Sequence, residues 1–476
     1  SVDLDGNPVW SPDGRQIAFV RVPAHGFHVE YFAPKREGEP WSIRVADAAT
    51  GKGREVWKAD RGAGSVFSEV EGDDQLWWGD GDRLVFPWEK DGWKHLYVVP
   101  FSGGEATPLT PGAFEVEWVS LSPDRRRLVY GSNQDDIDRR HLWAVPVAGG
   151  PPTPLTKGKG IEWSPVTTDD GKAVAFLHSD ARRPAQPAIQ VGDAPAKDLA
   201  PETIKDSFPE KSLVEPRPVE IAAADGMTIH CQLFLPPDPK RGERRPAVVF
   251  FHGGPRRQMV LGWHYMGYYH RAYALNQYLA SKGFVVLSVN YRSGIGYGTA
   301  FREALRFGAS GASEVNDVKG AGVYLRGRDD VDGKRIGVWG GSYGGYLTAL
   351  ALSRAPDLFA AGVDIHGVYD WNAEIRNWQP DYDPDKRRDA ARLAFESSPA
   401  SSVKDWRAPV LVIQGDDDRN VPFGESVHLV ADLRERKVDV EQLVFPDEVH
   451  DFLLHEHVLR AFHAAADFFD RRLQRP

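Results

Sequence analysis

The spacing of apolar residues changes near residue 212 of this chain. Before that point, short apolar runs are separated by clusters of Gly, Pro, Asp and Ser, the pattern of strands joined by tight turns. After it, short and almost wholly apolar runs alternate with stretches in which apolar residues recur at helical spacing. The pattern therefore predicts two domains, an all-β domain over 1–211 and an α/β domain over 212–476.

The all-β domain contains a repeat. Each copy is a turn rich in Pro, Asp and Gly followed by a strand, and two copies continue into a second strand and a Thr-Pro-Leu-Thr ending. These endings finish at Thr110 and Thr156, 46 residues apart. A period of about 40–50 residues with about four strands is typical of β-propeller blades. We therefore predict about four blades, with an irregular β-sandwich as the alternative. The copies begin at Trp10, Trp77, Leu121 and Trp163, and the last has a short insert after Pro165 and before its strand at 173–177.

The second domain alternates strands with helices, which predicts a doubly wound, mostly parallel sheet. The apolar runs that we expect to form strands are 246–251, 284–289, 335–339, 408–413 and 442–445. The stretches of helical period are 272–281, 316–326, 346–354 and 457–472.

Composition narrows the classes of function. The 476 residues carry a formal charge of −10, which argues against nucleic acid or an anionic membrane as the main partner. No run approaches the ~18 apolar residues of a membrane span. The single cysteine, Cys231, allows no intrachain disulfide, and we expect it to be a strand residue. The chain begins at Ser1 without a signal-like segment, which is compatible with a cleaved leader or with a trimmed chain. We expect a soluble protein, cytoplasmic or exported with its leader removed, and the sequence leaves the compartment open.

A candidate nucleophile lies between a predicted strand and a predicted helix. Gly340-Gly341-Ser342-Tyr343-Gly344 has the G-x-S-x-G pattern, which in this setting is typical of the nucleophile elbow of an α/β-hydrolase. The glycines permit a sharp turn that exposes the serine hydroxyl, and the helix start lies near the developing oxyanion. Ser342 is therefore predicted to be a catalytic nucleophile.

A serine nucleophile needs a base and an orienting acid, which in this fold follow it in the order acid, then histidine. The strand at 408–413 is followed by three consecutive acids, Asp416, Asp417 and Asp418, and the residues alone do not choose among them. His450 follows the next strand and precedes the last helix, where the base is expected. His455 and His457 are alternatives, but they lie in or beside that helix. Neither His455-Glu456-His457 nor Asp381-Tyr382-Asp383 has the spacing of a zinc or calcium motif, so we predict no metal and no cofactor.

The motifs around these residues resemble those of the prolyl oligopeptidase family, in particular its acylaminoacyl peptidase and dipeptidyl peptidase IV branches. The resemblance covers 245–470 and rests on Gly-Gly-Ser-Tyr-Gly-Gly-Tyr, Gly-Asp-Asp-Asp-Arg-Asn-Val-Pro, Phe-Pro-Asp-Glu-Val-His, His-Gly-Gly-Pro at 252–255 and the segment 290–298. It implies a β-propeller ahead of the hydrolase domain. Family propellers have more blades than the four found here, which predicts an incomplete or unusual propeller.

The resemblance also implies roles for single residues. Asp418 takes the position of the acid, and the backbone N–H groups of Tyr343 and Gly253 those of the oxyanion hole. Asn420 takes the position that binds the carbonyl of the residue upstream of the cleaved one, with a turn cap before Pro422 as the alternative. His252 stands where the dipeptidyl branch has a tyrosine, and we expect it to be structural more than a direct substrate contact.

Two further pairs of residues bear on how a substrate could be held. Tyr369 and Trp371 follow a strand-like run and are candidates for the pocket that holds the residue before the cleaved bond, with core packing as an equal alternative. A pair of acids that captures a substrate amino terminus is characteristic of the dipeptidyl branch. Glu115 and Glu117 have alternate spacing in a strand, so we expect a surface position for them rather than that role.

These observations predict a serine peptidase that cleaves short peptides through an acyl-enzyme, with the propeller restricting substrate size. An esterase with the same triad is the alternative among enzymes, and a non-catalytic propeller binding protein is the alternative outside them. Short peptides are the expected partners, and a homo-oligomer is compatible with the sequence.

Overall fold

The computed structural model describes residues 3–23, 33–238 and 242–474. The chain forms two compact units. The first holds most of the chain up to Pro209 together with the segment Ile295–Arg302, and the second holds most of the remainder from Glu210. In the described part of the chain, no helix has both the length and the apolar character needed to cross a membrane.

Within the described ranges, the first unit forms four sheets, each with four antiparallel strands in consecutive order, which confirms the four predicted β units. The first two sheets comprise β1 (Leu4–Trp10), β2 (Gln16–Val22), β3 (Ser42–Asp47), β4 (Gly53–Lys58), β5 (Trp77–Gly79), β6 (Arg83–Trp88), β7 (His95–Pro100) and β8 (Thr107–Pro108). The last two comprise β9 (Val116–Leu121), β10 (Arg127–Ser132), β11 (His141–Pro146), β12 (Thr153–Pro154), β13 (Ile161–Thr167), β14 (Ala173–Ser179), β15 (Gln186–Val191) and β16 (Lys197–Asp198).

A side-chain cap explains the repeated turn. Ser11 Oγ accepts the N–H of Gln16 at 2.9 Å and donates to Asp13 at 2.6 Å. Ser122 and Asp124 repeat this arrangement in the third sheet. In the fourth sheet the same cap is formed by Thr168 and Asp170. The predicted turn at Ser164-Pro165 is therefore wrong, because these residues lie in a bulge within β13, where Ser164 has a φ of 51°.

Apolar clusters join each sheet to the next, which is the packing of propeller blades rather than of a two-sheet sandwich. Trp57 of the first sheet packs on Phe86 of the second, with ring centroids 4.7 Å apart. A second cluster joins the second and third sheets, and a third joins the third and fourth.

The expected surface position of Glu115 and Glu117 is wrong, because both side chains are buried. Glu117 makes two hydrogen bonds, of 2.8 and 2.9 Å, with the guanidinium of buried Arg140. The carboxylate of Glu115 accepts the N–H groups of Gly296 and Gly298, each at 3.1 Å. Charge is tolerated here because each carboxylate is paired or hydrogen-bonded.

The second unit contains one eight-stranded sheet, which is parallel except at the edge formed by its first two strands, as the sequence predicts. Its order is β17-β18-β20-β19-β21-β22-β23-β24. The strands are β17 (Arg217–Ala222), β18 (Thr228–Phe234), β19 (Arg245–Phe251), β20 (Val285–Asn290), β21 (Val331–Gly341), β22 (Ala361–Ile365), β23 (Val410–Gly415) and β24 (Val440–Phe445). Cys231 is buried in β18.

Helices connect these strands. They are α1 (Gly267–Ser281), α2 (Thr299–Arg302), α3 (Val315–Arg326), α4 (Tyr343–Arg354), α5 (Trp371–Trp378), α6 (Arg388–Glu396), α7 (Phe423–Glu435) and α8 (His455–Phe469), with α2 in the segment assigned to the first unit. Helix α4 begins three residues earlier than predicted. Gly344 and Gly345 lie in its first turn. A Cβ at Gly344 would collide with Phe251 O, and a Cβ at Gly345 would collide with Asp364 Oδ1. These glycines therefore let the helix pack closely against the neighbouring chain and do not break it.

The parallel strands direct four loops to one edge of the sheet. β21, β22, β23 and β24 are neighbours, and all run in the same direction. The residues that follow their carboxyl ends therefore lie side by side, as in other open α/β sheets. These loops carry Ser342, His366, Asp418 and His450.

Candidate active site

Ser342 lies at a strained turn between β21 and α4. Its backbone has a φ of 59° and a ψ of −121°, a conformation that non-glycine residues rarely adopt. The N–H of Ser342 donates to Ile365 O at 2.9 Å, and its carbonyl accepts the N–H of Tyr346 at 3.0 Å. Gly341 has no room for a side chain, since a Cβ there would collide with the Tyr268 hydroxyl. The turn is therefore held by backbone contacts on both sides of the serine.

A buried carboxyl group fixes the first residue of α4. The Tyr343 hydroxyl donates to Glu314, which also accepts the N–H of Gly308 at 3.0 Å. Burial raises the pKa of Glu314 to about 7. Because the Tyr343 side chain is anchored in this way, its backbone N–H is held in place beside Ser342.

Asp418 and His450 are directly hydrogen-bonded. His450 Nδ1 lies 2.7 Å from Asp418 Oδ2, and Asp418 is buried. The other oxygen, Oδ1, accepts the N–H groups of Asn420 and Val421 at 2.9 and 3.0 Å. These contacts lock the carboxylate, so the His450 proton is directed to Nδ1 and Nε2 is left as a proton acceptor.

The competing acids and histidines have other contacts. Asp416 accepts the N–H of Asp447 at 2.7 Å, and Asp417 lies 3.3 Å from Arg419 at the surface. His457 is paired with the buried Glu448 at 2.6 Å.

Gly253 lies against the nucleophile. A Cβ at Gly253 would be 3.2 Å from Ser342 Cβ and 2.7 Å from Gly341 O, so only glycine brings the backbone this close. Its carbonyl accepts the Tyr269 hydroxyl at 2.6 Å, which orients the peptide. The two predicted oxyanion donors, Gly253 and Tyr343, therefore belong to two different segments that both adjoin Ser342.

His252 is fully buried and stacks on Tyr291 with ring centroids 4.3 Å apart. Its Nδ1 lies 3.1 Å from Gly253 O. Burial lowers the pKa of His252 to about 3, so the ring is neutral at physiological pH. Its contacts support the Gly253 peptide.

A cavity of about 120 Å³ opens beside Ser342 and His450. Of the predicted pocket residues, Trp371 and Asn420 line it, while the Tyr369 hydroxyl is turned to Asp432. Asn420 is exposed, and the cap of its turn is Asp418, whose Oδ1 accepts the N–H of Asn420 itself. The other lining residues are Gly254, Pro255, Tyr343, Val368, Glu374, Trp378 and Val421.

Sequence reasoning missed part of this wall. Glu374 and Trp378 follow Trp371 by three and seven positions in α5, so the three side chains share one helix face. Because Trp371 was already a candidate for the pocket, this helical spacing could have predicted that Glu374 and Trp378 lie beside it.

His366 was missed as well. Its ring stacks on that of His450 with centroids 4.1 Å apart, and its Nε2 lies 3.0 Å from the Tyr268 hydroxyl. Burial, followed by the charge of His450, lowers the pKa of His366 well below its usual range, so the His366 ring is neutral at physiological pH.

His366, Asp418 and His450 place their ligand atoms within 4.8 Å of one another, a spacing that a metal ion could use. The stacking of His366 on His450 and the hydrogen bond between His450 and Asp418 account for this proximity by themselves.

Two stretches of the chain match known families. Residues 271–476 match the prolyl oligopeptidase family, and residues 28–185 match the dipeptidyl peptidase IV N-terminal region.

Curated relatives share part of this sequence. Dipeptidyl aminopeptidase BIII of Pseudoxanthomonas mexicana is 33% identical over 276 residues, which cover 54% of this chain and 38% of that protein. The acylamino-acid-releasing enzyme of Sus scrofa is 28% identical over 389 residues, which cover 79% of this chain and 46% of that protein. The chain thus spans less than half the length of these relatives.

Solved structures share the fold. A puromycin-hydrolyzing peptidase of Mycobacterium tuberculosis superimposes with a TM-score of 0.79 and 23% identity, covering 99% of this chain and 71% of that one. The acylaminoacyl peptidase of Pyrococcus horikoshii superimposes with a TM-score of 0.70 and 22% identity, covering 98% of this chain and 71% of that one.

Proposed function

We propose that this chain, whose residues 271–476 belong to the prolyl oligopeptidase family, is a serine peptidase that cleaves short peptides. The proposal rests mainly on the proximity of Ser342, His450 and Asp418, three loop residues, to one cavity. Ser342 and His450 both line it, and His450 is hydrogen-bonded to the buried Asp418. The domains proposed for this activity are the β-sheet part, 1–211, and the catalytic part, 212–476.

The proposed reaction follows from these contacts. His450 Nε2 removes the hydroxyl proton of Ser342 as its Oγ attacks the scissile carbonyl carbon, and the Asp418 carboxylate stabilises the resulting imidazolium. The N–H groups of Tyr343 and Gly253 donate to the oxyanion. His450 then gives its proton to the leaving amine as the carbon–nitrogen bond breaks, and an acyl-enzyme remains. Water, deprotonated by the same histidine, hydrolyses it and regenerates Ser342.

The substrate contacts proposed from the sequence are Asn420 for the carbonyl upstream of the cleaved residue, and Trp371 with Tyr369 for its side-chain pocket. Trp371 has support from its place in the cavity wall, and Tyr369 would act through its contacts behind that wall. His252 would act by supporting Gly253. The match to a dipeptidyl peptidase IV N-terminal region supports a role for the β-sheet domain in limiting substrate size.

The test uses a fluorophosphonate probe and a set of peptide and ester p-nitrophenyl derivatives. The protein should react covalently at Ser342, and Ser342→Ala should lose labelling and about 10⁵- to 10⁶-fold in kcat. Ser207→Ala, which removes an exposed hydroxyl in the first unit, is the matched control and should change neither. Near-normal turnover by Ser342→Ala would refute the proposal. Cleavage of esters with no cleavage of peptides would replace it with the esterase.

A further inference from the structure

A buried carboxylate lies in the wall of the cavity beside Ser342. Glu374 is 4% exposed, and its Oε1 accepts the Trp378 indole N–H at 2.7 Å. Its second oxygen, Oε2, is buried and has no hydrogen-bond partner within residues 3–23, 33–238 and 242–474. An unpaired buried acceptor of this kind destabilises the fold, and more so when it is charged. Such a group in a cavity points to a ligand that supplies the missing donor.

The surroundings of Glu374 suit a long side chain with a polar end. The cavity wall around it is formed by Val368, Trp371, Trp378 and Val421, which offer apolar surface to methylene groups. The volume of about 120 Å³ is roughly eight to twelve times the space that one water molecule needs. A side chain of the length of lysine or arginine can therefore enter.

The electrostatic surroundings favour a cation. Burial raises the pKa of Glu374 to about 8, the Trp378 hydrogen bond opposes this shift, and the charges of Glu425 and Asp418 add to it. The two charged groups that act on Glu374 are thus both acidic. A positive charge placed against Glu374 would stabilise its ionised form and supply the missing donor.

We propose that this cavity holds a lysine or arginine side chain of the residue before the cleaved bond, with its cationic end paired to Glu374. The inference rests on the proposed function, because the cavity is a substrate pocket only if Ser342 is the nucleophile. A side chain fits better than the amino terminus of the substrate. Asn420, proposed to bind the peptide backbone, is exposed, whereas Glu374 is buried.

The experiment compares lysine with norleucine, which has an unbranched side chain without the ammonium group. Ala-Lys and Ala-norleucine p-nitroanilides are each made with a free and with an acetylated amino terminus. In the unmodified protein, kcat/KM should be roughly 10- to 150-fold higher for lysine than for norleucine, with a free and with an acetylated amino terminus alike. This factor corresponds to the contribution of one hydrogen bond to a charged group. Glu374→Gln should reduce this ratio at least tenfold and change norleucine turnover less than about threefold.

The variants are chosen to separate charge from folding. Gln keeps the oxygen that accepts the Trp378 N–H, so the melting temperature of Glu374→Gln should stay close to that of the unmodified protein. Glu396→Gln removes an exposed carboxylate at the end of α6 and should leave the lysine preference intact.

Each other outcome has a defined meaning. A ratio near one in the unmodified protein, or a ratio that Glu374→Gln does not alter, overturns the inference while labelling of Ser342 and norleucine turnover still support the proposed function. A second outcome is that kcat/KM is higher for the free than for the acetylated amino terminus with either side chain, and that this difference disappears in Glu374→Gln. That result would assign Glu374 to the substrate's amino group and would also overturn the inference. Absence of both labelling and turnover refutes the proposed function, and the inference with it.

Discussion

Replacing Asp418 by asparagine tests the proposed triad with almost no change of shape. Asp418 Oδ1 accepts two backbone N–H groups, and Oδ2 lies 2.7 Å from His450 Nδ1. In the variant, the amide oxygen should keep the two backbone donors, because turning the NH₂ group toward them would lose both hydrogen bonds at about 1–3 kcal/mol each. The NH₂ group then faces His450 Nδ1.

The consequence is a change of tautomer. An NH₂ group donates, so His450 Nδ1 must accept and its proton must move to Nε2, the atom that should receive the Ser342 proton. The imidazolium also loses its carboxylate. We expect kcat to fall about 10³- to 10⁴-fold, equivalent to about 4–5.5 kcal/mol of activation free energy.

The assay is steady-state hydrolysis of a peptide p-nitroanilide, with the melting temperature measured in parallel. Asp417→Asn is the matched control, because the adjacent Asp417 is exposed and its carboxylate lies 3.3 Å from the guanidinium of Arg419 at the surface. The kcat of this control should stay within about twofold of that of the unmodified protein. If Asp418→Asn kept more than a tenth of normal kcat, or if Asp417→Asn lost as much, the assignment of the acid would be wrong.

Two further predictions concern the cavity. Asn420→Ala should lower kcat/KM on peptides about 5- to 30-fold, or about 1–2 kcal/mol for one hydrogen bond, and affect small esters much less; an equal loss on both substrates, or a lower melting temperature alone, would make Asn420 structural. The lysine-to-norleucine ratio of kcat/KM should rise as pH increases through about 8, because Glu374 must ionise to pair with the cation, and Glu425 and Asp418 oppose that ionisation. The ratio cancels any pH dependence that the two substrates share, so a flat profile from pH 6 to 9 would contradict the assignment to Glu374.

Much of the architecture was predictable because it depends on local periodicity. The apolar runs before and after the G-x-S-x-G motif predict a strand and a helix around Ser342, and the chain order places an acid and a histidine after later strands. The carboxyl ends of neighbouring parallel strands lie at the same edge of the sheet, independently of how the side chains pack. Ser342 and His450 therefore line one cavity. The domain limits at 211 and 212 stay predictions, and the segment Ile295–Arg302 groups with the first unit.

The sequence by itself determined the four-unit β repeat, the mostly parallel sheet and the loops that carry the candidate triad. Only the tertiary structure decided which polar groups are buried and with which partners. Glu117 is paired with Arg140, 23 positions away, and one oxygen of Glu374 has no partner among the residues that the structure describes, although neither fact is visible in the spacing of apolar residues. The physical reason is that periodicity reports which face of an element is buried, whereas the energy of a buried charge depends on contacts with residues distant along the chain.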